Sequence, residues 1–478
     1  MKCPRTKSLR WNPSNMDTFL FYDIETTGLS KAFDQVLHFA AIRTDRTLRE
    51  LERYEIKMKL SPDVVPSPSA IITHHMSLKE IAEGTTELDG IIQIHHWLNQ
   101  PGTIGLGYNT LRFDDEFLRF SFYRHLLPPY THQYANQCGR MDLYPMAVMY
   151  FLFKNSVLTW PMIAGKPSFK LAELNAANHL AVGRDHNAMV DVEATLALAR
   201  FFFKEQKMWD YLTGYFNKEL DLARLRDLQQ TPALMIDGII GAEQSYQSLV
   251  LFLGMHKHYK NQMLWLRLDT EDFTNMTPET IETIRVTHKK PGEPGFILPL
   301  KERFLQHLTP ERRALADHNK QWLEQHPDIF SSLVAYHTDY KYPLYPATDV
   351  AAGLYINGFW NAAEENFCRT FHRAAPEKKA ALTEQLQNPK LQTLAVRLLG
   401  KYYPETLNPR QTEQFSDYMK KKNPSTEEET LIDYQGKKRL TPTMALNEIA
   451  ELRHDAVLTA MQLDLLNELE TALIESKK

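Results

Sequence analysis

Residues 19–28 read F-L-F-Y-D-I-E-T-T-G, an apolar run that closes on two acids, Asp23 and Glu25. Extended backbone alternates its faces, so Phe19, Phe21, Asp23 and Glu25 share one side, and Leu20, Tyr22, Ile24 and Thr26 the other. Two strand rises of roughly 3.3 Å each separate the two acids, and like charges at that range repel unless a cation sits between them. Two further patterns carry comparable chemistry. Asn109-T-L-R-Phe113-Asp114-D-E-Phe117 stands where a short strand gives way to a helix. His186-N-A-M-V-Asp191-V-E-A-Thr195 opens a long helical stretch.

Each pattern alone has a plain structural reading. D-x-E at a strand end is usually an exposed pair before a turn. Asp114 suits the first turn of a helix, where an acid complements the dipole. Asp185 is placed to cap the following helix, which leaves His186 and Asp191 as surface residues. Together the patterns say more, because D…E…D…H…D falls within one α/β unit. Carboxylates that converge on one cleft cannot all stay ionised without divalent cations. Oxygen-only ligation selects Mg²⁺ or Mn²⁺ over zinc. Two such ions about 4 Å apart clamp a phosphodiester displacement, one activating water and the other stabilising the leaving 3′ oxygen. His186 then has the task of general base.

The elements that must position these groups follow from periodicity. Strand-like stretches at Phe19–Glu25, Leu37–Thr44 and Tyr54–Leu60 are followed by a Pro/Ser-rich connector, S-P-D-V-V-P-S-P-S. A helix near 88–98, a short strand in T-I-G-L-G-Y-N, helices near 114–126 and 141–153, and a long helix over 187–207 complete the unit. That order implies a mixed sheet with helices on its faces. Residues 208 to about 355 turn β-rich, with a hairpin in L-V-L-F-L-G-M-H-K-H-Y-K-N-Q-M-L-W-L-R-L. Stretches 360–402 and 441–475 are helical, interrupted by the polar connector K-K-K-N-P-S-T-E-E-E-T, which reads as a solvated loop.

Bulk properties set the bounds. At 478 residues the chain is too long for one core and implies two to four domains. A net charge of −4 argues against a wholly basic binder but leaves room for a local basic groove. Cys3, Cys138 and Cys368 are scattered without a C-x-x-C pair, which fits a reducing cytosol and neither a disulfide framework nor a thiolate zinc site. No apolar run approaches the roughly 20 residues that cross a bilayer. The N-terminal segment with Lys2, Arg5, Lys7 and Arg10 is broken by Pro4 and Pro13 and reads as a disordered tail.

The three motifs resemble those of the DEDD superfamily of 3′→5′ exonucleases, in the branch where histidine precedes the last Asp by five residues. RNase T, oligoribonuclease and the proofreading exonucleases share them. Wider wording resembles bacterial exonuclease I: H-F-A-A-I-R-T-D, L-G-Y-N-T-L-R-F-D-D-E-F-L-R, G-K-P-S-F-K-L-A-E-L-N-A-A-N, D-H-N-A-M-V-D-V-E-A-T and L-Y-I-N-G-F-W. The resemblance implies an α/β, RNase H-like exonuclease domain over 18–205, an SH3-like β-rich domain over 206–355 and a helical C-terminal domain over 356–478. It implies Asp23, Glu25, Asp191 and Asp114 as ligands of two Mg²⁺ ions, with Mn²⁺ able to substitute, and His186 as base. Asp115 is the alternative fourth acid; Asp114 is preferred because Phe113, Asp114 and Phe117 satisfy F-D-x-x-F/L.

Such an enzyme needs cations for phosphates and aromatic faces for bases. The segment after Asp114 offers Arg119, and the loop beyond Pro128-Pro129 offers Tyr130 and Tyr134. By resemblance, Lys170 contacts DNA and Leu29 wedges against the terminal base, with Thr26 beside it. The expected activity is 3′→5′ degradation of single-stranded DNA to 5′-mononucleotides in repair or recombination, by a cytoplasmic, bacterial, monomeric protein. The expected partner is the C-terminal tail of single-stranded DNA-binding protein. The alternatives are an RNA-directed exonuclease and a catalytically dead binding module.

Overall fold

A computed structural model describes residues 17–184, 186–426, 429–455 and 457–475; the basic N-terminal segment, Cys3 and Asp185 lie outside them. The first unit is built on a mixed sheet in the order β3-β2-β1-β4-β5. Its strands are β1 (Thr18–Thr26), β2 (Val36–Thr44), β3 (Glu50–Lys57), β4 (Thr103–Gly107) and β5 (Gly139–Asp142). Strands β1, β2 and β3 run antiparallel, while β4 and β5 run parallel to β1. The acid-bearing strand β1 is thus central and hydrogen-bonded on both sides.

The parity of β1 divides the core. Phe19 and Phe21, with Ala40 and Ile42, pack against Val192, Leu196 and Ala199 of helix α4 (Ala188–Phe203). Leu20, Tyr22 and Ile24 face the opposite layer, formed by α1 (Glu87–Leu98) and α2 (Asp114–Arg124). Helix α3 (Leu143–Phe153) joins the first layer and is apolar on nearly every side, because the next unit covers its outer face. Where a helix over 141–153 is expected, residues 141–142 are instead the end of edge strand β5. Asp142 pairs with Gly107 of β4, and its side chain caps α3 through the Tyr144 amide.

A short hairpin, β6 (Met162–Ile163) and β7 (Lys166–Pro167), precedes the second sheet. That sheet is antiparallel, ordered β11-β10-β9-β8-β12, with β8 (Ala233–Ile236), β9 (Gln247–Met255), β10 (Met263–Arg267), β11 (Val286–Lys289) and β12 (Phe296–Pro299). The hairpin read from sequence is β9–β10. The middle region also holds helices that a β-rich reading leaves out, Gln206–Thr213 and Lys218–Arg226 before the sheet and the pair Pro310–Gln325 and Pro327–Asp339 after it. The latter pair covers the sheet with Ala316, Trp322, Leu323 and Leu333. From Thr348 the chain already belongs to the last unit: Thr348 bridges to Ile432, and Arg397 grips Asp349 with two bonds of 2.7 Å. The C-terminal part ends in a helical hairpin, Pro442–Asp455 and Ala460–Glu475.

The units share cores instead of meeting at wet seams. Leu234, Ile236, Leu249 and Phe296 of the second sheet belong to the same apolar cluster as Phe19 and Met146 of the first unit. A second cluster joins Phe33, Phe120 and Leu126 to Leu354, Leu394 and Leu398. A third joins Leu37, Ile71 and Ile72 to Ile449, Leu466 and Leu469 of the C-terminal hairpin. Polar ties reinforce this arrangement. Arg112 meets both oxygens of Asp237 at 2.7 and 2.8 Å, and Arg140 reaches Glu293 at 3.4 Å.

Asp115 anchors a buried polar knot behind the first sheet. It is 0% exposed and is held by Arg119 and Arg140 at 2.6 Å each and by His132 at 2.8 Å. Burial pushes its carboxyl up, but the two guanidinium charges and the His132 hydrogen bond outweigh that and hold it well below the usual range. Removing one member of a buried ion cluster leaves its partners unpaired and typically costs about 3–5 kcal/mol. Asp115→Ala is therefore expected to lower unfolding stability by about 3–5 kcal/mol in urea titration. A change of under about 1 kcal/mol, the level of an exposed pair, would refute the structural role assigned to Asp115.

Candidate functional site

The site forms where β1 ends. Asp23, Glu25 and Asp191 each present a carboxylate oxygen to one point, all within 4.8 Å of one another. Asp23 and Glu25 come from the same face of β1, as its alternation requires. Asp191 comes from the first turn of α4, whose start is fixed by Asn187: its side chain accepts the Met189 and Val190 amides at 3.2 and 3.4 Å. A carboxylate in a first turn also meets the positive end of the helix dipole.

Asp114 arrives from a third element and is buried. The parallel ladder between β1 and β4 ends at Phe21–Leu106, which leaves the Ile24 amide without a strand partner on that side. Asp114 Oδ1 accepts that amide at 3.2 Å. Its carboxylate is thereby tied to the residue between Asp23 and Glu25. The chain reaches this position through a tight connection. At Gly107 a side chain would meet the Tyr22 carbonyl at 2.6 Å, and Asn109 takes the left-handed conformation at φ 62°. Asp142 holds the connection by accepting the Asn109 and Leu111 amides at 2.8 and 3.1 Å.

The electrostatics match this crowding. Burial first, then Asp114, Asp191 and Glu25, raise the Asp23 carboxyl well above its usual value. Burial and the charges of Asp191 and Asp114 push Glu25 up to about 9, partly relieved by Arg184. Burial pushes Asp114 up to about 8, against the Ile24 hydrogen bond. These acids resist ionising together, so a donor set of carboxylate oxygens suits a divalent cation. Asp23, Glu25 and Asp191 are the residues positioned to hold it.

His186 is exposed and takes a left-handed backbone, φ 59°, just before α4. A non-glycine residue there is uncommon and clusters at functional positions. With Asp191 it lines a cleft of about 790 Å³. The cleft also has Tyr108, Tyr144, Phe169 and Tyr246 as aromatic wall and Arg112, Lys166 and Lys170 as cations. The aromatic rings meet edge to face, Tyr108 on Tyr144 at 5.7 Å and Phe169 on Tyr246 at 5.0 Å.

The candidate substrate contacts fall into distinct settings. Lys170 is exposed at the cleft rim, with Glu173 3.8 Å away. Leu29 is 82% exposed on the turn that follows β1, which Asp34 holds through the Ser30 amide at 2.7 Å. Gly28 is required in that turn, since a Cβ there would lie 2.5 Å from Asp34 Oδ2. Tyr134 is 70% exposed, and Tyr130 packs edge to face on Phe359 at 5.5 Å. Arg119 and Thr26 are committed within the protein instead. Arg119 is buried against Asp115, and Thr26 is buried with its hydroxyl donating to the Gly28 carbonyl at 2.7 Å. An arginine on an aromatic helix reads as a phosphate contact only while its buried acid partner is unknown. Asp115 is likewise committed to its own cations, which leaves Asp114 as the acid facing Asp23 and Glu25. Residues the motifs did not suggest are Asp142, Asp34, Tyr108 and Arg112. Asp142, an acid just before a helix, carried a cap signal; Asp34 carried none.

Comparison with known proteins agrees with this geometry. Residues 20–199 match the Exonuclease family (RNase_T), and residues 348–471 match the Exonuclease I C-terminal domain. Exodeoxyribonuclease I of Escherichia coli (strain K12) is 29% identical over 413 residues, covering 82% of this chain and 86% of that protein. Exodeoxyribonuclease I of Buchnera aphidicola subsp. Schizaphis graminum is 33% identical over 53% of this chain and 54% of its own length. Among solved structures, apo exonuclease I superposes with a TM-score of 0.81 at 25% identity, over 97% of this chain and all of that one. E. coli exonuclease I in complex with a 5cy-dT13 oligonucleotide superposes with a TM-score of 0.82 at 25% identity, over 96% and 99% of the two chains. With the exonuclease domain and the exonuclease I C-terminal domain in that order on one continuous fold, the chain belongs to the exonuclease I family of exonucleases.

Proposed function

We propose that this exonuclease removes 5′-mononucleotides from the 3′ end of single-stranded DNA, using two divalent cations, Mg²⁺ or Mn²⁺, held by Asp23, Glu25, Asp191 and Asp114. The observation that carries the reading is the carboxylate cluster at the end of β1, opening on a cleft with cations and aromatic faces. Bound cations would polarise the scissile phosphate and lower the pKa of the attacking water. The protein's own groups supply the rest. His186, which lines the cleft with Asp191, takes the water's proton as general base. Lys170 and Arg112 meet phosphates, and Leu29 and the tyrosines meet bases. A structure of SSB with exonuclease I in complex with an inhibitor is among the similar folds. We extend that partner to this chain, with a role in DNA repair in the bacterial cytoplasm as a monomer.

The direct test is incubation with 3′-labelled single-stranded DNA, duplex DNA and RNA, with Mg²⁺ or with EDTA. Mononucleotide release from single-stranded DNA alone, and only with Mg²⁺, is expected. Preferential release from RNA, or none from any strand, would overturn the reading. His186→Ala is expected to cut turnover by about 10²–10⁴-fold at unchanged DNA affinity. A loss under tenfold would remove His186 from the role of base.

The raised carboxyls give a second, non-catalytic test. Glu25 and Asp114 bind protons more tightly folded than unfolded, so the unfolded chain holds fewer protons from the ordinary carboxylate range up to about 9 and about 8, respectively. In EDTA their contribution to stability is present at low pH and is lost as pH rises through that window. A divalent cation binds the ionised form and reverses the penalty. The rise in Tm produced by Mn²⁺ over EDTA is therefore expected to grow between pH 5.5 and pH 8.5. A cation effect that shrinks with pH, or persists in Asp23→Asn/Glu25→Gln, contradicts the assigned ligands.

A further inference from the structure

Residues 65–82 connect the two loops that carry the chemistry. The Ser67 amide donates to the Thr27 carbonyl at 2.7 Å, in the turn that follows Glu25. Arg184, two residues before His186, donates to the His74 carbonyl at 3.3 Å. The segment is not self-supporting. Ser67 starts the helix Pro68–His74 without a capping bond from its own side chain. The acceptor is Glu448, which takes the Ser67 hydroxyl at 3.0 Å and the Ser69 amide at 2.9 Å. Glu468 takes the Leu78 and Lys79 amides at 3.1 and 3.2 Å, and Gln462 donates to the Ile72 carbonyl at 3.2 Å. Ile71, Ile72, Met76 and Ile81 share a dry core with the same hairpin, and Arg184 also reaches Met461 Sδ at 3.9 Å.

Hydrogen bonds from backbone amides to a carboxylate are the stronger, charge-assisted kind, and the packed core beneath them resists displacement. From these contacts we propose that the C-terminal hairpin 442–475 is a positioning element of the catalytic centre. Glu448 and Glu468 hold segment 65–82, and that segment sets the turn after Glu25 and, through Arg184, the loop bearing His186. The inference rests on the exonuclease reading. It differs from a role in gripping DNA, because it acts on chemistry even where substrate touches nothing beyond the cleft.

The test compares full-length wild type, E448A/E468A, E448Q/E468Q and R453A. Arg453 bonds Asn467 and Glu470, so these polar ties stay within the hairpin. Single-turnover cleavage of the trinucleotide dT₃ reads the centre alone, and the dissociation constant for long oligo-dT in EDTA reads strand grip. Misplacement on the order of an ångström costs up to about 100-fold, so E448A/E468A is expected to slow dT₃ cleavage by about 10- to 100-fold. Oligo-dT affinity is expected to stay within about twofold, and Arg184→Ala to show the same pattern. The glutamine pair, which keeps an acceptor at each position, is expected to recover much of the rate, and R453A to match wild type. Unchanged dT₃ cleavage in folded E448A/E468A overturns the proposal, as does a loss that appears only in oligo-dT affinity. An equal loss in R453A also overturns it, assigning the effect to general destabilisation, which Tm measured on wild type and every variant checks. Failure of wild type to release mononucleotide from oligo-dT instead overturns the exonuclease reading itself.

Discussion

Burial and charge oppose one another at the end of β1, and the molecule is organised around that opposition. Asp23, Glu25, Asp114 and Asp191 come from three elements, yet they converge where burial and neighbouring charge penalise ionisation of Asp23, Glu25 and Asp114. A flexible chain would relieve the repulsion by swinging the carboxylates apart. Here that relief is closed off. β1 is bonded on both sides, its apolar half is sealed between two helical layers, and Asp114 is tied to the Ile24 amide. The repulsion is retained by the fold and remains available to a cation.

The same economy separates two neighbouring acids into opposite roles. Asp114 and Asp115 stand side by side in the first turn of α2, but one faces acids and the other faces cations. One carboxyl is raised and the other lowered by surroundings alone. Rotation of about 100° per residue around a helix suffices to place adjacent side chains in different chemistry.

Much of this was legible in the residues. The alternation of β1 assigned Phe21 and Asp23 to one face and Ile24 to the other, and the cores divide along that line. The catalytic candidates were legible because their spacing is local and their residue types are few. What stayed hidden depended on partners distant in sequence. Arg119 reads as a free cation until Asp115, Gln133 and Tyr355 are placed around it. Strand β5 is too short for its alternation to show, and it runs straight into α3, so the two merge into one helical reading. The helices over 310–339 were masked by the β-like text that surrounds them. The stretch 61–69 reads as a mere connector and residues 70–82 carry no signal of a role, since the groups that support them lie in the C-terminal hairpin, far along the chain.

That last relation has a consequence for the order in which the protein is made. Chains emerge from synthesis with the N-terminal part first. Leu37, Ile71 and Ile72 are made early, but their core partners Ile449, Leu466 and Leu469 are made much later. Until then the segment beneath the acid-bearing turn has an uncovered apolar side and lacks Glu448 and Glu468 as acceptors. The nascent chain thus carries every motif residue of a nuclease well before it carries the scaffold that holds them. A ribosome-bound fragment ending before residue 442 would hold every motif residue but an unfinished centre, its assembly waiting on the synthesis of residues 442–475.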